Sequence, residues 1–254
     1  ERTGLEALGQ SDYKVPRILM LQALNPECRA FPGVAIPGNF WHNGANISLG
    51  QKFTMVSGIV SKKVILFKPR WEGGGILAIS NDGINWDNGA NRKFTVKPNK
   101  DSNETTVWDT SRDVASSGLN RWGSSNPSIE NSPPAATAIY EYLVYLPEHP
   151  NLSPCLLSMS KTALNQGKAL NTTYIMAKKP MASIIIEITA KEMQEGTNVW
   201  YVPNGRRAGW APLELYQTVS KMGEQYSNYQ ADYVEDVMPS SVGVDVKKDD
   251  EIPF

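Results

Sequence analysis

The chain has 254 residues, 41% of them hydrophobic and seven of them tryptophan, enough for one large packed domain or two small ones. The net charge of −1 is unevenly placed: residues 232–254 hold seven acids against Lys247 and Lys248, or −5, and the 231 residues before them hold 23 bases and 19 acids, or +4. No apolar run approaches about 18 residues and Cys28 lies far from Cys155, which excludes a helical membrane span and a disulfide framework and fits a reducing compartment.

Residues 1–16 are polar, lack the charged-then-apolar pattern of a signal peptide, and read as loose. Val15 to Leu21 reads as a short apolar strand. Asn25 to Gly50, rich in proline and glycine, reads as loop and turn. Phe53 to Phe67 predicts one long strand, or two broken near Gly58. From about 68 to 134 the pattern is irregular. Gly73-Gly74-Gly75, Asn81-Asp82-Gly83 and Asp87-Asn88-Gly89 mark turns, with short strands at Ile76 to Ile79 and Phe94 to Val96. Ala138 to Leu146 is a strong strand stopped by Pro147, and Cys155 to Met159 is another. Between Lys161 and Ala177 the apolar spacing becomes three and four, which predicts an amphipathic helix with Ser160 as its N-cap. Ser183 to Thr189 is β-rich. Asn198 to Val202 is read as a strand running into a hairpin turn at Pro203-Asn204-Gly205, and Pro212 as the first turn of a helix reaching about Tyr229. Beyond Asp232 the composition is that of an acidic linker.

Catalytic chemistry finds little purchase. The only histidines, His42 and His149, sit in no metal-spaced motif, and there is neither a nucleophile elbow nor a phosphate loop. A zinc site from Cys28, His42, His149 and Cys155 would lack a Cys-x-x-Cys anchor. Asp82, Asp87, Asp109 and Asp113 offer carboxylates for a metal-dependent nuclease, but their turn-rich setting favours solvated loop acids. No cofactor and no metal is expected.

Strand binding asks only for a positive groove with aromatic faces. Four basic and aromatic sets supply candidates. They are Lys62, Lys63, Lys68, Arg70 and Trp71 near Phe67; Arg92 and Lys93 near Trp86, Phe94 and Lys97; Arg121 with Trp122; and Trp200, Arg206, Arg207 and Trp210 around Tyr201. About half of these aromatics are expected in the core. Arg206 and Arg207, at the expected hairpin tip, are the leading cations, and Trp71 and Trp122, in polar stretches, the leading platforms.

The last six residues, Asp249, Asp250, Glu251, Ile252, Pro253 and Phe254, put three carboxylates before an apolar tip that ends on an α-carboxylate. A basic-rimmed apolar pocket would grip such a segment. It resembles the acidic tip of bacterial single-stranded-DNA-binding (SSB) proteins, Asp-Asp-x-Ile-Pro-Phe, which recruits replication and repair partners. The body is longer than a typical bacterial SSB protein and lacks its Gly/Gln/Pro-rich linker. It is more similar to replication-associated proteins of tailed bacteriophages, through Pro16 to Leu21, Gly73 to Ala78 and Asn131 to Thr137. The resemblance implies a non-enzymatic protein of DNA replication, recombination or repair, located in the cytoplasm of a bacterial host. Its partners would be single-stranded DNA and tip-binding replication or repair proteins, with no membrane partner; a homo-oligomer is compatible with the sequence. The implied fold is mainly β with minor α. Residues 1–231 would form an OB-fold-like barrel with long loop insertions (about 68–134), and residues 232–254 a disordered acidic C-terminal tail. The alternatives are an adaptor or inhibitor that captures host replication proteins without binding DNA, and a tip-recruited nuclease. A virion component is more distant.

Overall fold

The computed structural model describes residues 14–87 and 92–227. The expected tail 232–254 and its tip Asp249 to Phe254, residues 1–13 of the expected loose start and the turn at Asn88-Gly89 lie outside the described residues; the end of that start is not loose, because Val15 is buried against Val56 and Leu156 and Pro16 O accepts from Leu156 N (2.8 Å). In chain order the elements are β1 (Arg17–Met20), α1 (Pro26–Ala30), β2 (Phe40–His42), β3 (Ile47–Gly50), β4 (Lys52–Phe67), β5 (Ile76–Ser80), β6 (Lys93–Val96), β7 (Thr106–Asp109) and α2 (Val114–Ser117). They continue with β8 (Ala136–Tyr145), β9 (Cys155–Ser160), α3 (Leu164–Ala177), β10 (Ile184–Glu195), β11 (Asn198–Trp210) and α4 (Leu213–Gln225).

Nine strands form one sheet in the order β11-β10-β4-β8-β9-β1-β2-β3, with β5 pairing along the far half of β4; β6 and β7 form a separate ladder. The β1–β9 pairing is parallel. The sheet curls into a half-barrel, so the mainly β expectation holds. Period-two patterning sets the two faces. Ile184, Ile186 and Ile188 of β10 point into the concave face with Phe53 and Met55 of β4, Tyr142 and Val144 of β8, and Leu157 and Met159 of β9. Helix α3 covers this core through Leu170 and Tyr174. The single Tyr142 O–H is shared between Gly167 O (3.0 Å) and Asn171 Oδ1 (2.8 Å), and Tyr174 shares a 2.8 Å bond with buried Ser57, so the polar ends of both phenols are satisfied.

Helix α4 packs on the outer face, where Val219 and Met222 meet Val56, Leu143 and Leu156. Two glycines bring helix and strand together: a Cβ on Gly223 would stand 2.8 Å from Gly58 O. Gly58 also marks a register shift in the β4–β8 ladder, so β4 is one strand with a bulge rather than two strands. Residues 68–134 carry a core of their own on the concave face. Trp86, Val96, Trp108, Val114 and Leu119 pack there against Val64 and Leu66 of β4 and Ala136 of β8.

The open side of the curl is bridged by a side chain. Gln22 donates to Tyr201 O (2.8 Å) and accepts from Tyr201 N (2.9 Å), so its amide stands in for the peptide of a missing neighbour strand. Gly38 lies against the Tyr201 ring, where a Cβ would come within 2.9 Å. Pro203, two residues on, shares the outward parity of Tyr201, so its missing N–H interrupts no bond to β10.

Four expectations are corrected. The Asn25–Gly50 stretch holds α1, β2 and β3, because pairing of Ile18, Leu19 and Met20 with His42, Trp41 and Phe40 supports strands too short to read locally. Pro203-Asn204-Gly205 is not a turn; β11 runs straight through it, and the hairpin turns at Gly196 (φ 58°). Gly205 instead makes room for Ile188 and Leu170, whose Cδ1 atoms would lie 3.0 and 3.3 Å from a Cβ there. Ser160 makes no capping bond; a 3₁₀ turn, Lys161–Ala163, leads into α3. The last helix ends at Gln225, short of Tyr229.

Candidate nucleic-acid interface

The sequence candidates divide by where the fold puts them. Trp71 (50% exposed), Trp122 (72%) and Trp210 (52%) reach solvent, while Trp41, Trp86 and Trp108 are core. Each exposed indole has an arginine beside it. Arg70 precedes Trp71 in the turn after β4, Arg121 precedes Trp122, and Arg207 lies over the Trp210 ring at 5.0 Å. Trp71 is fixed by its Nε1–H donating to Lys97 O (3.1 Å), while Glu72 accepts from Lys97 N (2.8 Å); this ties the turn to the end of β6.

Arg207 and Trp210 are three apart, which in a regular strand puts them on opposite faces. The register shift opposite Ile185 and Ile186 inserts one residue into β11, so Arg207 pairs with Ile186 and Trp210 with Ile184, both on the concave face. Arg206 faces the other way. It is not at a hairpin tip; its guanidinium holds Glu187 at 2.7 Å, with Lys52 at 3.7 Å, and the Arg206 bond is the main cause of the lowered Glu187 pKa. Trp200 is half-buried with its Nε1 enclosed.

Lys63 is 2% exposed and faces the protein. Its Nζ lies 3.0 Å from Glu141 Oε2, and Arg17 Nη1 lies 2.8 Å from Oε1, so one buried carboxylate holds two buried cations. Ser158 accepts from Arg17 at 3.0 Å. Alternation along β4 separates this residue from its neighbours: Lys63 shares a face with Glu141, and Lys62, which is exposed, shares the concave face with Tyr140. Lys68 is half-buried, and Arg92 and Lys93 are exposed on the insertion, with Lys93 Nζ 4.0 Å from Asp109.

The suspected metal ligands do not converge. Among the described residues no three His, Cys, Asp or Glu side chains group to hold an ion. Asp82 accepts from the backbone N–H groups of Ile84 (2.6 Å) and Asn85 (2.7 Å), and these bonds hold its pKa at about 2. Asp87 bonds Asn81, Asp109 accepts from Ser111 N and Asp113 caps α2, so each acid organises its own turn. His42 uses both ring nitrogens, toward Leu152 O (3.1 Å) and Ala45 N (3.0 Å), and burial lowers its pKa. Burial pushes the Cys155 thiol up to about 12. A cavity of about 310 Å³ opens near His42, between Pro16, Gly44, Asn151 and Tyr226, and none of the strand-binding candidates lines it.

Sequence reasoning missed Tyr140, which the β4–β8 pairing sets directly opposite the exposed Lys62. It stands in no motif, and only the strand pairing reveals it. No helix among the described residues is long and apolar enough to cross a membrane. The family model of the Pam3 phage gp34-like protein matches residues 1–232. No curated protein and no solved structure matches the chain.

Proposed function

The chain belongs to the Pam3 phage gp34-like protein family, and from that premise we propose that it binds single-stranded DNA with little sequence preference and recruits replication or repair proteins through its acidic tip. The observation that carries this reading is the exposure of Trp71, Trp122 and Trp210, each beside an arginine. Leaving three indoles in water forfeits a large hydrophobic gain, and a base stacking on each recovers about 1–3 kcal/mol. The neighbouring guanidiniums supply the salt-dependent phosphate term. The resemblance of Asp249 to Phe254 to the partner-binding tip of bacterial SSB proteins supports the second half of the reading. The protein is then a strand coat rather than an enzyme, acting in the cytoplasm of the host during replication, recombination or repair.

Fluorescence titration of the full chain with dT-rich strands at two salt concentrations, against a duplex of equal length, tests it. Tryptophan quenching with strong single-strand preference and a salt slope is the expected result. No binding at low salt overturns the reading and leaves an adaptor that displays its tip. Metal-dependent cleavage of the strands would point instead to a nuclease.

A further inference from the structure

Residues 30–51 hold no Asp, Glu, Lys or Arg, in a chain that is 20% charged overall. His42 is the one titratable side chain in the stretch, and it is buried and uses both ring nitrogens in hydrogen bonds. Such a composition belongs in a core, yet much of the stretch faces solvent. Phe31, Val34 and Ile36 expose 36%, 54% and 48% of their surface, and Leu24, just before α1, exposes 45%.

These side chains stand on a fixed platform. Val34 N and Ala35 N both donate to Phe31 O (3.1 and 2.9 Å), Asn39 N donates to Ile36 O (3.0 Å), and Gly38 N donates to Leu21 O (2.9 Å). Ala35 packs with Leu21 and Trp41, and the Phe31 ring lies 5.2 Å from the Trp41 ring. The Asn39 side-chain amide reaches Ser48 Oγ (3.1 Å), which ties the platform to β3. Among the described residues β3 pairs with β2 alone, and it carries neither a charge nor a proline. Its extra residue, Leu49, packs inward on the core, while Ile47 stays 38% exposed at the rim. The two edges of the sheet therefore differ: β11 is guarded by Gln22 and Pro203, and β3 is not.

We propose that this uncharged face is the contact between two copies of the chain, packed about a two-fold axis with Phe31, Val34 and Ile36 at its centre and the β3 edge beside them. A surface without charge meets its own copy with no like-charge repulsion and no ion to desolvate. It offers nothing to a phosphate backbone or to an acidic partner. Depletion of charge with apolar and aromatic enrichment is the composition of an interface core, and exposed Arg29 and Lys52 flank the stretch as a polar rim. Four strand residues supply few ladder bonds, so the apolar side chains carry the association. A two-fold contact uses up its own surface, so assembly stops at the dimer. The inference is independent of the single-strand reading.

The test is sedimentation velocity of the full chain from low to high micromolar concentration, for the parent, Val34→Lys, Ile36→Lys and, as control, Ile129→Lys, which changes an equally exposed apolar residue of the insertion. The parent should reach twice the mass of one chain. Val34→Lys and Ile36→Lys should each raise the dimer dissociation constant at least about tenfold, because each copy then buries an unpaired charge. Ile129→Lys should dimerise as the parent does. Circular dichroism checks that the variants fold. Hydrogen exchange of the parent reads the same surface without a substitution, since amides of residues 31–36 and 47–50 should gain protection as concentration rises. A parent that stays monomeric at high micromolar concentration overturns the proposal. So does a dimer that Val34→Lys and Ile36→Lys leave as tight as the parent's, or one whose exchange at these amides does not change with concentration.

Discussion

Alanine at Gly223 sets two effects against each other. In a helix interior the exchange gains about 1 kcal/mol of intrinsic propensity. Against it, the new Cβ would stand 2.8 Å from Gly58 O, 3.1 Å from its carbonyl carbon and 3.3 Å from its Cα. These are backbone atoms at the centre of the sheet, between the pairs Ser57–Val144 and Ile59–Leu143, so β4 cannot recede. Helix α4 has to lift, which loosens Val219 and Met222 from Val56 and Leu143. Overpacking of this kind costs about 1–3 kcal/mol, so the net expectation is a loss of about 1 kcal/mol. For a protein of this size that is about 2–4 °C in Tm. Urea unfolding followed by circular dichroism should show a lower midpoint with an unchanged m-value. A higher midpoint at unchanged m would mean that propensity wins, and would refute the close seating of α4 on Gly58.

Glu141→Gln removes the charge that holds Arg17 and Lys63 in the interior; the expected loss is about 3–5 kcal/mol by urea unfolding, and a change within about 0.5 kcal/mol would refute the buried network. Gln22→Ala breaks both bonds to Tyr201 and should cost about 1–2 kcal/mol. Hydrogen exchange at the Tyr201 amide should speed up in that variant, and unchanged protection would show that Gln22 does not close the curl. The folded pKa of Asp82 is depressed from 3.8 to about 2, so its stabilising contribution is complete above 3.8 and fades as pH falls through about 2. Asp82→Asn should flatten the acid limb of stability in that window, and a parallel limb would count against the turn geometry.

Where secondary structure is local, the sequence was readable. The β-branched and aromatic run at Ala138 to Leu146 and the isoleucines from Ile184 became β8 and the start of β10, because period-two alternation already names their buried face. The segments misread are those whose reason lies elsewhere in the chain. Phe40 to His42 is a strand because β1 lies beside it, and Gly205 follows Asn204 to admit Leu170 of α3. The candidate interface divides in the same way. Trp71 and Trp122 could be read as exposed from their Gly- and Ser-rich surroundings. The meeting of Arg207 with Trp210 depends on a bulge, and Lys63 looked like a surface cation because nothing local announces Glu141.

The guarded rim at β11 bears on life at high concentration. A thirteen-residue edge strand is a template for runaway polymerisation when its outer amides are free. Here Tyr201 is already occupied by Gln22, Pro203 has no amide to offer, and the bulge before Trp210 breaks the flat run. Together these features remove part of the flat ladder that an adding strand would need. Replacing Gln22 and Pro203 together should open this rim and raise the formation of thioflavin-positive aggregates relative to the parent chain.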